Sequence, residues 1–163
     1  MNAKIFKPPY SLQRRMSVFL AGSIEMGTAE DWQTKVEVAL RDHEVDIYNP
    51  RRDDWNSSWE QSINNSQFRT QVEWELDALD AATHILMYFD PNTKSPISLL
   101  ELGLYAASNK LHVFCPDGFY RKGNVDIICA RYEVPTYECM EDLINEIKWE
   151  LDNGVSGRNR IKD

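Results

Sequence analysis

The sequence predicts a three-layer α/β domain: a central, mostly parallel five-stranded sheet with helices on both faces. Three observations predict it. Short apolar runs alternate with amphipathic segments along the chain, the β-α-β-α rhythm of a parallel sheet with crossover helices. The apolar runs stop at turn residues such as Gly22 and Asn49-Pro50, as buried strands do. The 163 residues fit one domain, with a core spanning about 17–152 and a polar tail, 153–163, expected to fray.

The elements follow in order. "MSVFLAGS" (16–23) is the first strand, and "TAEDWQTKVEVALRDH" the first helix, with Thr28 placed as N-cap and Asp31 three residues on, a capping-box pattern. "VDIY" (45–48) is the second strand. The polar connection 49–65 carries Trp55 and Trp59 and reads equally as a functional loop or as a mobile surface excursion with both tryptophans tacked onto the core. A second helix covers about 66–82, and "HILMYF" (84–89) is the third strand. In "SPISLLELGLYAASN", Ser95 is the expected N-cap and Pro96 takes the first helical position. This third helix is apolar nearly all round, which marks it as buried. "LHVFC" (111–115) is the fourth strand, Asp117-Gly118 a turn, "RYEVP" (131–135) the fifth strand, and 138–152 the last amphipathic helix. Ligands of such folds bind where strands run into helices, here the loops 21–28, 49–65, 90–95 and 116–124.

Composition removes several classes of function. The net charge is −8, from 18 basic and 26 acidic residues, which disfavours a polyphosphate backbone and leaves a small ligand as the expected partner. Arg51 and Arg52 are candidates for an anionic group on that ligand. No run approaches the length of a membrane span and the N-terminal stretch has no apolar signal core. Three cysteines without CxxC spacing read as free thiols in a reducing cytoplasm, with no metal site. His43, His84 and His112 form no ligand pattern and are read as structural.

Two acids stand out. Phe68, Val72, Leu76 and Leu79 define the stripe of the second helix, and Glu75, two turns after Phe68, shares it. Asp77 lies about 180° away from Phe68 and faces solvent. Glu101 follows Ile97 by four and precedes Leu104 by three, an acid on an apolar helix close to its N-terminus. Desolvation raises a carboxylate pKa while the helix terminus favours the anion; a desolvated yet ionised carboxylate suits a nucleophile. Each acid alone is compatible with a satisfied buried glutamate; two beside ligand-binding loops point to a site. One chemistry open to such a pair is glycosidic cleavage through a nucleophilic carboxylate. The parts for other chemistries, GxSxG, GxxxxGK[ST], HExxH and GxGxxG, are missing from the sequence.

"VFLAGSI", "NPRRDDW", "QVEWELDAL" and "SPISLLELG", in this order, resemble the nucleoside 2-deoxyribosyltransferase family, and most nearly its branch of nucleoside 2-deoxyribosyltransferase-like proteins. The resemblance spans about residues 17–135. It implies a flavodoxin-like fold, no cofactor, and cleavage of the N-glycosidic bond of a deoxynucleoside or nucleoside 5′-monophosphate through a covalent deoxyribosyl-glutamate, with transfer to another base or to water. Glu101 matches the nucleophile. Glu75 falls where the transferases carry an aspartate that contacts the base. Ser95 matches a position that is aspartate in the transferases and a phosphate-binding serine in related deoxynucleotide hydrolases. Ala21, Gly22 and Ser23 match the loop lining the sugar or phosphate. Asn124 matches a residue that reaches a neighbouring subunit's sugar, so a homo-oligomer is implied. The sequence departs from the transferases at Val18, where they have a tyrosine; Trp55 is the candidate for stacking on the base. Two other readings compete: a non-catalytic nucleotide-binding or sensing module, and hydrolysis of nicotinamide dinucleotide with a glutamate, as TIR-like domains of similar topology perform.

Overall fold

Ser17 through Ala21 are all buried, so the first predicted strand is covered on both faces, as a parallel sheet between two helical layers requires. The computed structural model describes residues 2–9, 15–25, 29–52 and 58–157. Its strands are β1 (Lys4–Phe6), β2 (Ser17–Gly22), β3 (Asp46–Tyr48), β4 (His84–Tyr88), β5 (Leu111–Phe114) and β6 (Thr136–Tyr137). Its helices are α1 (Trp32–Leu40), α2 (Ser66–Ala81), α3 (Pro96–Tyr105), α4 (Lys122–Arg131) and α5 (Met140–Asp152).

The sheet order is β1-β3-β2-β4-β5-β6 with every pairing parallel. Without the edge strand β1 this is the 2-1-3-4-5 order of flavodoxin-like folds, so the predicted fold class holds, with six strands instead of five. Successive β2 residues feed opposite layers. Phe19 and Ala21 pack with Trp74, Ala78 and Leu79 of α2, Leu102 of α3, and Val125 and Cys129 of α4. Val18 and Leu20 pack with Trp32, Val36 and Leu40 of α1, and Leu143, Ile144 and Ile147 of α5. In the second layer Glu150 of α5 reaches the sheet between two buried histidines, its Oε2 lying 2.9 Å from His84 Nε2 and 3.2 Å from His112 Nε2. His84 and His112 are thus part of the core, away from the strand ends that carry the loops of interest.

Three expectations need correction, and one helix, α4, was not expected. Residues 131–135 are not a strand: Arg131 ends α4, and β6 is a two-residue bridge at Thr136–Tyr137. Helix α4 was hidden because Gly123 and Asn124 open it and only Val125 and Cys129 are buried along it, too thin a stripe to register as a period. Helix α1 starts later than the Thr28 cap implied; Thr28 lies outside the described residues, and Asp31 is the N-cap, accepting from Thr34 N–H at 3.3 Å. Helix α3 is not buried all round, because Ile97, Leu100 and Leu104 are 58%, 60% and 58% exposed.

The topological switch point lies between β2 and β4, whose connections leave to opposite sides of the sheet. Gly22 closes it. Its φ is +136°, and a Cβ there would sit 2.1 Å from the Tyr88 carbonyl oxygen. Only glycine lets the two strand ends approach this closely, and Ser23 N–H then donates to Tyr88 O at 3.0 Å.

Candidate active site

A cleft of about 930 Å³ opens at this switch point, bounded by the carboxyl ends of β2 and β3, by α2 and by the first two turns of α3. Its composition follows from the helix periodicities. Trp74, Ala78 and Leu79 are the core side of α2, while Phe68, Val72 and Leu76, predicted as a buried stripe, form one wall of the cleft. Glu75 shares that stripe and so points into the cleft, as the spacing implied.

On α3, Glu101 is 8% exposed, and its Oε2 is buried without a hydrogen-bond partner. Burial raises its pKa to about 8, with the nearby charge of Glu75 adding to the effect. Burial also raises Glu75 to about 7, opposed by the amide of Gln71, whose Nε2 donates to Glu75 Oε1 at 2.6 Å. The expectation of a carboxylate held ionised by its helix terminus is therefore modified: desolvation and the second acid outweigh the helix N-terminus. Two groups titrating near neutrality side by side share protons, which equips the pair to give up one proton while keeping one negative charge.

Around the pair, Gln71 links the acid to the loop after β3. Its side chain also donates to Pro50 O at 3.3 Å and accepts from Arg52 Nη1 at 3.3 Å. The Arg52 guanidinium lies over the Trp59 ring, 5.1 Å from its centroid. Arg51 lines the cleft but directs its guanidinium at the Ala29 and Glu30 carbonyls, each 3.1 Å away, and at Gln33. At the other end, the hydroxyl oxygens of Ser23, Thr93 and Ser95 lie 2.5–2.9 Å from one another, and Asp90 N–H donates to Ser23 Oγ at 2.8 Å. Ser95 precedes α3 but is not its side-chain cap: it holds φ 46°, and its hydroxyl serves this ring. Its N–H donates to Glu25 Oε1 at 2.6 Å.

The structure thus brings Gly22, Arg51, Arg52, Glu75, Ser95 and Glu101 around one cleft, with Ala21 at its edge and Ser23 buried directly behind it. Asn124 is exposed on the first turn of α4 and does not line the cleft. Trp55 lies outside the described residues. Sequence reasoning missed Gln71, Thr93 and Glu25. Gln71 was findable, since it sits four residues before Glu75 on the same helix face; Glu25 and Thr93 lie in loops with no period to betray them. Among the described residues, no group of His, Cys, Asp and Glu is arranged to hold a metal ion.

A family model described as nucleoside 2-deoxyribosyltransferase like matches residues 15–119. The chain belongs to that family. The match takes in both acids, the β2 loop, Arg51, Arg52 and Ser95, and stops before Asn124. Membership in the nucleoside 2-deoxyribosyltransferase-like family supports a glycosyl-transfer type of function with a small nucleoside-type molecule as the ligand class. No curated protein matches the chain. No described helix is long and apolar enough to cross a membrane.

The raised pKa of Glu101 has a consequence for stability. An unfolded glutamate loses its proton near 4.5, whereas Glu101 in the fold keeps it to about 8. Between those values the folded chain binds the extra proton, so the contribution of Glu101 makes stability fall as pH rises through the window. Glu101→Gln, which never ionises, should match the wild type at pH 4 and exceed it by roughly 4 kcal/mol at pH 8 in urea unfolding. A difference that does not change with pH would contradict the burial penalty.

Proposed function

We propose that the protein cleaves the N-glycosidic bond of a 2′-deoxynucleoside or its 5′-monophosphate through a glycosyl ester on Glu101, passing the deoxyribosyl group to another base or to water. The observation that carries this reading is the Glu101 carboxyl, desolvated and with one oxygen unpartnered in a cleft that opens to solvent. A buried carboxylate oxygen without a partner is costly and is kept where its reactivity is used.

The chemistry follows from the pair. The ionised Glu101 oxygen attacks C1′, and the C–N bond breaks with its electrons going to the base nitrogen. The Glu75 carboxyl protonates that nitrogen. In the second step the acceptor, a base or a water, attacks C1′ from the vacated side. The ester bond breaks to restore the Glu101 carboxylate, and the acceptor's proton passes to Glu75. Gln71 orients Glu75 through its 2.6 Å hydrogen bond. Phe68, Val72 and Leu76 supply an apolar wall against which the base packs.

A homo-oligomer also belongs to this reading. Leu76, Ile97, Leu100 and Leu104 border the cleft and are 39–60% exposed in the single chain, an apolar rim that a second copy would cover. Asn124, exposed on α4, would then serve a neighbouring site. A cytoplasmic location fits the three unpaired cysteines, Cys115, Cys129 and Cys139. The net charge of −8 favours a small ligand over a nucleic-acid polymer.

Incubation with a panel of deoxynucleosides and monophosphates, with and without acceptor base, should release free base from at least one member by chromatography. Glu101→Ala should lower that rate about 10³-fold or more, as loss of a nucleophile does. The reactive form needs Glu101 ionised and Glu75 protonated, so kcat/KM should trace a bell with limbs near pH 7 and 8. Glu75→Gln should retain only a rising limb, displaced below 8 because the neighbouring charge is gone. Undiminished release by Glu101→Ala would remove the proposed nucleophile. For the oligomer, sedimentation should find a dimer or larger species that Leu100→Lys dissociates; a monomeric wild type at tens of micromolar would refute it.

A further inference from the structure

Gln71 is buried on the face of α2 that carries Glu75, one helical turn before it, and its amide is bonded on three sides. Nε2 donates to Pro50 O at 3.3 Å and to Glu75 Oε1 at 2.6 Å, while Oε1 accepts from Arg52 Nη1 at 3.3 Å. A backbone carbonyl can only accept a hydrogen bond, and a guanidinium can only donate one. These two neighbours fix which way the amide faces, because turning it over would set oxygen against oxygen at Pro50 and N–H against N–H at Arg52. Glu75 is the third partner, and the face it meets is an N–H. Arg52 is itself held over the ring of Trp59, from the same connection.

The consequence falls on the proton of Glu75. A neutral carboxyl has one O–H and one carbonyl oxygen, and the carbonyl oxygen is the better acceptor. With Oε1 accepting from Gln71, the proton belongs on Oε2; among the described residues Glu75 makes no other hydrogen bond. An arginine paired directly with Glu75 would hold the carboxylate ionised and leave it no proton to give. The amide set between them passes on an orientation without the charge. We propose that Arg52 and Gln71 are positioning residues for the acid: Arg52 fixes the Gln71 amide, the amide keeps Glu75 Oε1 as the accepting oxygen, and the proton is left on Oε2 to pass to the nitrogen of the departing base. The base nitrogen takes that proton with the electrons of the broken C–N bond, and the Gln71 N–H then supports the carboxylate that remains. The destination of the proton rests on the glycosidic reading above; the relay rests on the three hydrogen bonds of Gln71.

The other charged groups lining the cleft are Glu101, Glu25, Arg51 and Arg52. A Glu101→Gln background frees Glu75 of its coupled neighbour, and the 13C resonance of the Glu75 carboxyl, assigned by its loss in Glu75→Gln, then reports one titration. In that background the Gln71 side-chain amide protons should titrate with the same midpoint as Glu75, a measurement that leaves the relay untouched. Gln71→Leu removes the donor to the carboxylate and should raise the midpoint by about one pH unit. Arg52→Met should move it in the same direction, and Arg52→Lys, which keeps a donor, should stay near the parent. Adding Arg52→Met to Gln71→Leu should change nothing further if the arginine acts through the amide, whereas a direct effect of its charge would add. With Glu101 restored, Gln71→Leu should lower kcat about tenfold and leave KM within about twofold, as misplacing an acid does. Additive shifts from the two substitutions, or Gln71 amide protons that do not follow Glu75, would overturn the relay. Coupled titrations as described, with no base released from any nucleoside or monophosphate, would leave the relay standing and sink the glycosidic reading.

Discussion

Two carboxyl groups share one desolvated end of a cleft, and the rest of the molecule can be understood by what it takes to keep them there. Neither Glu75 nor Glu101 is neutralised by an arginine among the described contacts; the nearest polar support is the Gln71 amide, which serves Glu75. Burial pushes both pKa values up, and the charge of one acid adds to the rise of the other. Proximity of this kind costs folding energy, which the two apolar layers on either side of the sheet must offset. The result is a pair that can hold one proton and one negative charge near neutral pH, which on the proposed reading serves the cleavage of a glycosidic bond.

The scaffold supplies position and little else. Helix α2 presents Glu75 and Gln71 from one face because they are four residues apart, and α3 presents Glu101 less than two turns from its start. Gly22 lets the ends of β2 and β4 close together, and the hydroxyl ring of Ser23, Thr93 and Ser95 locks the loops that follow. These are constraints on backbone and loop geometry, and they hold the entrance to α3 in one arrangement. On the reading proposed above, the exposed leucines beside the cleft form an apolar rim that a second copy of the chain would cover.

Much of this was legible from residue order. The strand-helix alternation, the apolar runs and the turn residues predicted the sheet and its helical layers, and the odd placement of Glu75 and Glu101 on apolar stripes pointed to the cleft. What failed to show did so for physical reasons. The edge strand β1 is three residues long, and β6 is two, too short to carry a period. Helix α4 buries only a narrow stripe. The apolar faces of α2 and α3 were taken for core because periodicity reports which side is apolar, not whether that side meets the interior, a cleft or another molecule. Ser95 looked like a cap because serine suits the position before a helix that opens on proline, yet its hydroxyl was recruited by Ser23, distant in sequence, and by Thr93 beside it, and no local pattern records the tertiary partner. Glu25 was unreadable for the same reason.

On the proposed reading, the sugar's C1′ is held for part of the cycle by a covalent bond to the Glu101 carboxylate. That bond is tested most directly by intact-protein and peptide mass spectrometry after incubation with a 2′-fluoro-substituted nucleoside, whose electron-poor sugar slows breakdown of a glycosyl ester. The protein should gain the mass of one sugar, localised by fragmentation to Glu101. A sugar adduct on Glu75, or base release with no adduct on either acid, would contradict it.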